Sequence, residues 1–106
     1  MTVKFISENT KEARLANRRV MLIRDESCYV FNANEEVYAI LIEEWNNEDR
    51  QFESIDSFWE LYGFDDVIEN ITDIVRNYDY DIDCFVVDSE IGDPKYWKDD
   101  YREFDA

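Results

Sequence analysis

Between Asp65 and Tyr78 the apolar residues fall on one side of a helix. Val67, Ile68, Ile71, Ile74, Val75 and Tyr78 follow the i, i+1, i+4, i+7, i+8, i+11 spacing of an amphipathic stripe. Asp65 suits the cap, and Asp65 and Asp66 favour the positive end of the helix. A stripe this continuous has to be buried against another layer.

Most of the other apolar runs read as strands. Met1–Ser7 alternates and predicts a short strand. Asn9 or Thr10 caps a short helix running to Arg18. Val20–Arg24 and Cys28–Phe31 are β-rich, and Asp25-Glu26-Ser27 between them suits a hairpin loop. After a turn at Asn32-Ala33-Asn34, Val37–Ile42 continues as a strand, in preference to a helix over Glu35–Trp45. Asn46–Glu53 reads as a charged loop.

Ser54 then caps a short helix with Ile55, Phe58, Trp59 and Tyr62 on one side, closed by Gly63 at C′. Ile82–Asp88 is a strand and Glu90–Asp93 a turn. Asp93-Pro94 opens a last helix to Phe104, with Trp97, Tyr101 and Phe104 as its stripe. The expected fold is α+β: a small antiparallel sheet of about four to five strands, with two to four helices packed on one face.

The 106 residues suit one domain, 1–106, and 17 aromatic residues exclude a disordered acidic tail. Two glycines and one proline leave little linker material. No apolar run approaches the ~20 residues of a membrane span. The start of the chain lacks a signal-peptide core. The expectation is a cytoplasmic protein, in the host cytoplasm if phage-encoded. Cys28 and Cys84 lie far apart in apolar runs and read as reduced, buried thiols.

Charge is the strongest compositional signal, with 27 acidic residues against 11 basic and a net of −16. It is unevenly spread. Residues 1–24 hold Lys4, Lys11, Arg14, Arg18, Arg19 and Arg24 against Glu8 and Glu12, a net of +4. Residues 25–106 carry 25 acids against Arg50, Arg76, Lys95, Lys98 and Arg102, a net of −20. Such a chain repels nucleic acid and anionic membrane and attracts basic partners. Solubility alone needs a magnitude of only ~2–8.

Residues 79–90, DYDIDCFVVDSE, come close to a calcium loop, with acids at Asp79, Asp81, Asp83 and Glu90. Cys84 stands where that loop needs glycine, and Gly92 and Pro94 interrupt the exiting helix. The alternation points instead to a strand, with Tyr80, Ile82, Cys84 and Val86 on one side and the aspartates in an outward row. A calcium-binding module at 79–90 is retained as an alternative, and no cofactor or resident metal is otherwise expected.

A second acidic row, Asp66, Glu69 and Asp73, occupies the polar face of the 65–78 helix. Asp99, Asp100, Glu103 and Asp105 crowd the last helix, and Glu43, Glu44, Glu48 and Asp49 form a further cluster. Charge on sheet edges also blocks unwanted pairing, which accounts for single clusters. Several rows together match something more specific: the Lys/Arg tracks by which proteins bind a duplex with one charge per ~1.7 Å of axis.

In charge and size the chain is similar to the small acidic antirestriction and anti-CRISPR proteins of phages and mobile elements. It carries no family motif. That similarity implies an inhibitor that mimics nucleic acid and occupies the basic DNA- or RNA-binding surface of a nuclease. The expected contact residues are Asp66, Glu69, Asp73, Asp79, Tyr80, Asp81, Asp83, Asp99, Asp100 and Glu103. An immunity protein or antitoxin against a basic toxin has the same surface physics and is the alternative. No direct contact with nucleic acid or membrane is expected, and the sequence leaves a homodimer open. With no histidine, triad or phosphate-cradling loop, an enzyme is not expected.

Overall fold

The computed structural model describes residues 1–26 and 36–106. Among these, the chain order is β1 (Thr2–Ser7), α1 (Lys11–Leu15), β2 (Arg18–Arg24), β3 (Val37–Asn46), β4 (Gln51–Tyr62), α2 (Gly63–Asn77) and β5 (Cys84–Val87). A 3-10 turn at Pro94–Tyr96, α3 (Asp99–Arg102) and β6 (Glu103–Asp105) complete it. The α+β class holds. The sheet among the described residues has six strands, in the order β4-β3-β2-β5-β1-β6, and it is mixed rather than antiparallel. β5 lies parallel to both β1 and β2, while β2–β3, β3–β4 and β1–β6 are antiparallel pairs.

The helices pack on both faces, not one, and the connections explain why. β1 reaches β2 through α1, and β4 reaches β5 through α2, both between parallel strands but in opposite directions along the sheet. Such crossovers are right-handed in nearly all proteins, so opposite travel places the two helices on opposite faces.

The larger core lies under α2. Val67, Ile71 and Ile74 pack on Val3, Phe5, Val20, Leu22, Tyr38, Ile40, Ile42, Phe85 and Val87. Full burial of each such side chain contributes roughly 1.5–3 kcal/mol. The smaller core lies under α1, where Ala13 and Ala16 meet Met21, Cys84 and Val86. Thr10 caps α1, its hydroxyl accepting from the Ala13 N–H.

Four local expectations are corrected. The stretch after Ser54 is not a helix but the second half of β4, a 12-residue edge strand. Its register against β3 slips twice, between Ile42/Asp56 and Glu43/Ser54 and between Tyr38/Leu61 and Ile40/Phe58. Each slip adds one residue to β4, which breaks the alternation and leaves apolar residues at helix-like spacing. Gly63 does not close a helix. It opens α2 at a φ of +74°, a backbone state that glycine adopts freely.

The terminal helix is likewise absent. Trp97, Tyr101 and Phe104 do all face the α2 side: Trp97 and Phe104 pack on that core, and Tyr101 stacks on Phe64. They come from a turn, α3 and β6. Pairing of β6 with the open edge of β1, Val3 opposite Phe104, takes the place of further helix. The strand expected over Ile82–Asp88 is shorter, Cys84–Val87, and Asp79–Asp83 lies ahead of it, tied to β2 by the Asp83 N–H to the Arg18 carbonyl. The expected strand at Cys28–Phe31 and turn at 32–34 lie outside the described residues, as does Cys28. Cys84 is a buried free thiol.

Candidate protein-binding surface

Three of the six bases in residues 1–24, the arginines of β2, are engaged inside the fold. β2 runs antiparallel to β3 with Arg18 opposite Glu44 and Arg19 opposite Glu43. This register puts opposite charges directly across the ladder. Arg18 and Arg19 each hold their glutamate at 2.9 Å, and Arg24 holds Glu36 at 3.2 Å. The Arg19–Glu43 pair is the most enclosed, with side chains 11% and 14% exposed. Arg19 also donates to the Ala13 carbonyl at 2.9 Å and covers the Phe52 ring at 3.6 Å. Glu43 and Glu44, counted in one acidic cluster of the sequence, are thus neutralised by the chain's own arginines.

The other acidic rows keep most of their charge. On α2, Glu69 is exposed, and none of the described hydrogen bonds or ion pairs involves it. Asp73 accepts from the Asn77 amide. Asp66 has a structural duty, accepting from the Tyr62 backbone N–H at 2.8 Å where β4 turns into the helix. These three carboxylates line an open groove beside α2, with Leu61 of β4 and Arg76 on its walls.

Beyond α2, Asp79 and Asp81 are exposed with no described partner. Tyr80 between them is half-buried. Its ring stacks on Tyr78 with centroids 6.0 Å apart and planes 6° from parallel. Its hydroxyl donates to the Asp56 carboxylate at 3.0 Å. That bond holds the phenol's pKa above its ordinary value, because ionisation would set two anions side by side. Tyr78 meets Phe58 of β4 edge-to-face at 5.8 Å. These contacts bring the 79–81 acids beside β4, so two of the expected rows share one flank of the molecule.

Asp83 does not join them. Its carboxylate turns back to accept from the backbone N–H groups of Asn17 at 2.8 Å and Arg18 at 3.1 Å. The row of three aspartates is therefore a pair plus a structural acceptor, because the Asp83 N–H donates to the Arg18 carbonyl at 2.9 Å and sets the carboxylate beside the start of β2. The C-terminal acids are elsewhere. Glu103 sits on β6, at the opposite sheet edge from β4. Asp99 is ion-paired with Arg102, and Asp100 is exposed on α3 without a described partner.

Residues 79–90 do not close into a loop. Asp79 and Glu90 lie at opposite ends of β5, which is paired on both sides in the middle of the sheet. Among the described residues, no group of three or more His, Cys, Asp or Glu is placed to hold a metal ion. No described helix is long and apolar enough to cross a membrane.

Sequence reasoning missed the contribution of β4. Asp56 and Glu53 stand on this strand, and Ile55, Trp59 and Tyr62 are 42%, 49% and 41% exposed. The helical reading of 55–62 hid them. The run of Phe, Tyr, Trp and Ile residues was the available strand signal. Comparison with protein-family models, curated proteins and solved structures finds no match.

Proposed function

We propose that this chain is a protein inhibitor that binds the basic nucleic-acid-binding surface of a target protein and excludes DNA or RNA from it. The antirestriction or anti-CRISPR setting is the one its charge and size fit. One observation carries the reading. The arginines of β2 are engaged by Glu36, Glu43 and Glu44. Among the described residues, no ion pair engages Glu69, Asp73, Asp79 or Asp81 along the α2 and β4 flank.

An unneutralised row of carboxylates is unfavourable by itself, at a few tenths of a kcal/mol per neighbouring pair on a helix. It gains when a Lys/Arg track replaces solvent and both sides shed counterions. The rigid sheet beneath keeps the charges in place, which limits the ordering cost of binding. The test is capture at about 50 mM salt followed by elution with duplex DNA, since salt strips phosphate-type contacts. Nucleic-acid-binding proteins released by the duplex support the reading. Retained proteins that only detergent or denaturant releases contradict it.

A further inference from the structure

We infer that β4 is the anchoring edge of this interface: Ile55, Trp59 and Tyr62 insert into an apolar recess on a basic partner that reaches over the edge, Trp59 and Tyr62 from the strand face opposite Phe58, Leu61 and α2, while the acids of β4 and of the α2 flank meet its cations. This rests on the proposed function and names where the partner is gripped. Three observations converge on β4. It is an edge strand of 12 residues carrying Glu53, Asp56 and Glu60 and no base, a net of −3. Three of its large apolar side chains, Ile55, Trp59 and Tyr62, are 41–49% exposed. The Trp59 indole N–H donates to the Ser57 hydroxyl at 2.9 Å, which fixes the ring before any partner arrives. A held tryptophan within a charged rim is the composition of an interface hot spot.

The occupant is a basic protein surface rather than a second copy. An edge strand invites pairing with its like. Here the Asp56 carboxylate accepts from the Ser57 N–H at 2.8 Å, and the Ser54 hydroxyl donates to the Asp56 carbonyl at 3.1 Å. The strand's own side chains thus occupy backbone groups that a pairing strand needs. Two register slips bend the edge further. A second copy also brings the same three negative charges. A partner with positive charge around an apolar recess meets every one of these features.

The experiment compares two synthetic peptides of equal positive charge, a deca-lysine and an alternating Lys–Leu peptide with ten lysines, by fluorescence anisotropy against the full chain. The wild type is expected to prefer the Lys–Leu peptide. Trp59→Ala loses that preference by about tenfold, the effect of removing a hot-spot side chain. Ile55→Ser, at an exposed position, is the second variant should Trp59→Ala not fold. Neutralising Glu69 and Asp79 weakens both peptides alike. Equal affinity of the wild type for the two peptides overturns the anchor and leaves the charge reading standing. No salt-dependent binding of either peptide overturns the charge reading itself. A wild-type dimer in sedimentation that Trp59→Ala dissolves assigns the patch to a second copy and overturns the inference.

Discussion

The Tyr80 hydroxyl donates to the Asp56 carboxylate at 3.0 Å, tying the segment after α2 to the edge strand β4. This one bond brings the acids at 79 and 81 to the flank that already carries Glu69 and Asp73. Tyr80→Phe keeps the stack on Tyr78 and removes the bond. In a spectrophotometric pH titration this variant loses one late-ionising phenol, and Tyr38→Phe loses another. The Tyr38 hydroxyl is held protonated by burial and by its bond to Glu36.

The two kinds of aspartate around Tyr80 separate by mutation. Asp83→Ala removes the acceptor of two backbone N–H groups at the start of β2 and costs about 1–3 kcal/mol. Asp79→Ala and Asp81→Ala stay within about 0.5 kcal/mol of the wild type, as surface changes do. Urea midpoints of the three variants check the ordering.

Asp25 supports the strained end of β4. Glu60 sits at a φ of +60°, and its N–H donates to the buried Asp25 carboxylate at 3.0 Å. A left-handed backbone costs an L-residue roughly 1–2 kcal/mol. Asp25→Ala therefore lowers stability by about 2 kcal/mol or more, because Glu60 keeps its strain and loses its acceptor. Glu60→Gly partly offsets that loss in the double variant, as measured by urea unfolding.

Stability falls at alkaline pH through Cys84. Burial pushes its thiol from 9.0 up to about 11. Below pH 9 folded and unfolded thiols are both protonated and the contribution is full. Between about 9 and 11 the unfolded thiol ionises first, the unfolded state gains, and the contribution is lost as pH passes the folded value. Cys84→Ala, in a Cys28→Ser background, removes this part of the alkaline slope. Glu8 acts in the opposite range. The Ser89 backbone N–H at 2.9 Å holds its carboxyl below 4.5. Its contribution is present above the unfolded value and disappears as acid carries the pH down through the folded one.

The parts of the fold that local pattern dictates were legible in the residues. The Ile71–Ile74 stripe, a cap at Asn9 or Thr10 and strands at 1–7, 20–24 and 37–42 were readable, but α1 ends at Leu15 rather than Arg18, β2 starts at Arg18, and β3 and β4 take both ends of the expected 46–53 loop. What was not legible depends on partners distant in the chain. β4 carries two extra residues against β3, and that irregularity reads as a helix until the pairing is known. β6 exists because β1 has an open edge. Asp83 turns to β2, though still exposed, because the Asn17 and Arg18 N–H groups are presented there. Of the candidate surface, the acidic rows on α2 and at 79–81 were visible, but the anchors on β4 and the linking Asp56 were not. The engagement of Arg18 and Arg19 by β3 follows from register, which composition does not encode.

The measurement that bears most directly on the decoy account is the affinity for a duplex-eluted target across a salt series, with and without Glu69→Gln, Asp73→Asn, Asp79→Asn and Asp81→Asn together. The account predicts a steep loss of affinity for the wild type, on the order of a thousandfold between 50 and 200 mM salt. In the variant the slope of log affinity against log salt is shallower by about one for each carboxylate removed. A wild-type affinity unchanged over that range, or a variant with the same slope as the wild type, contradicts it.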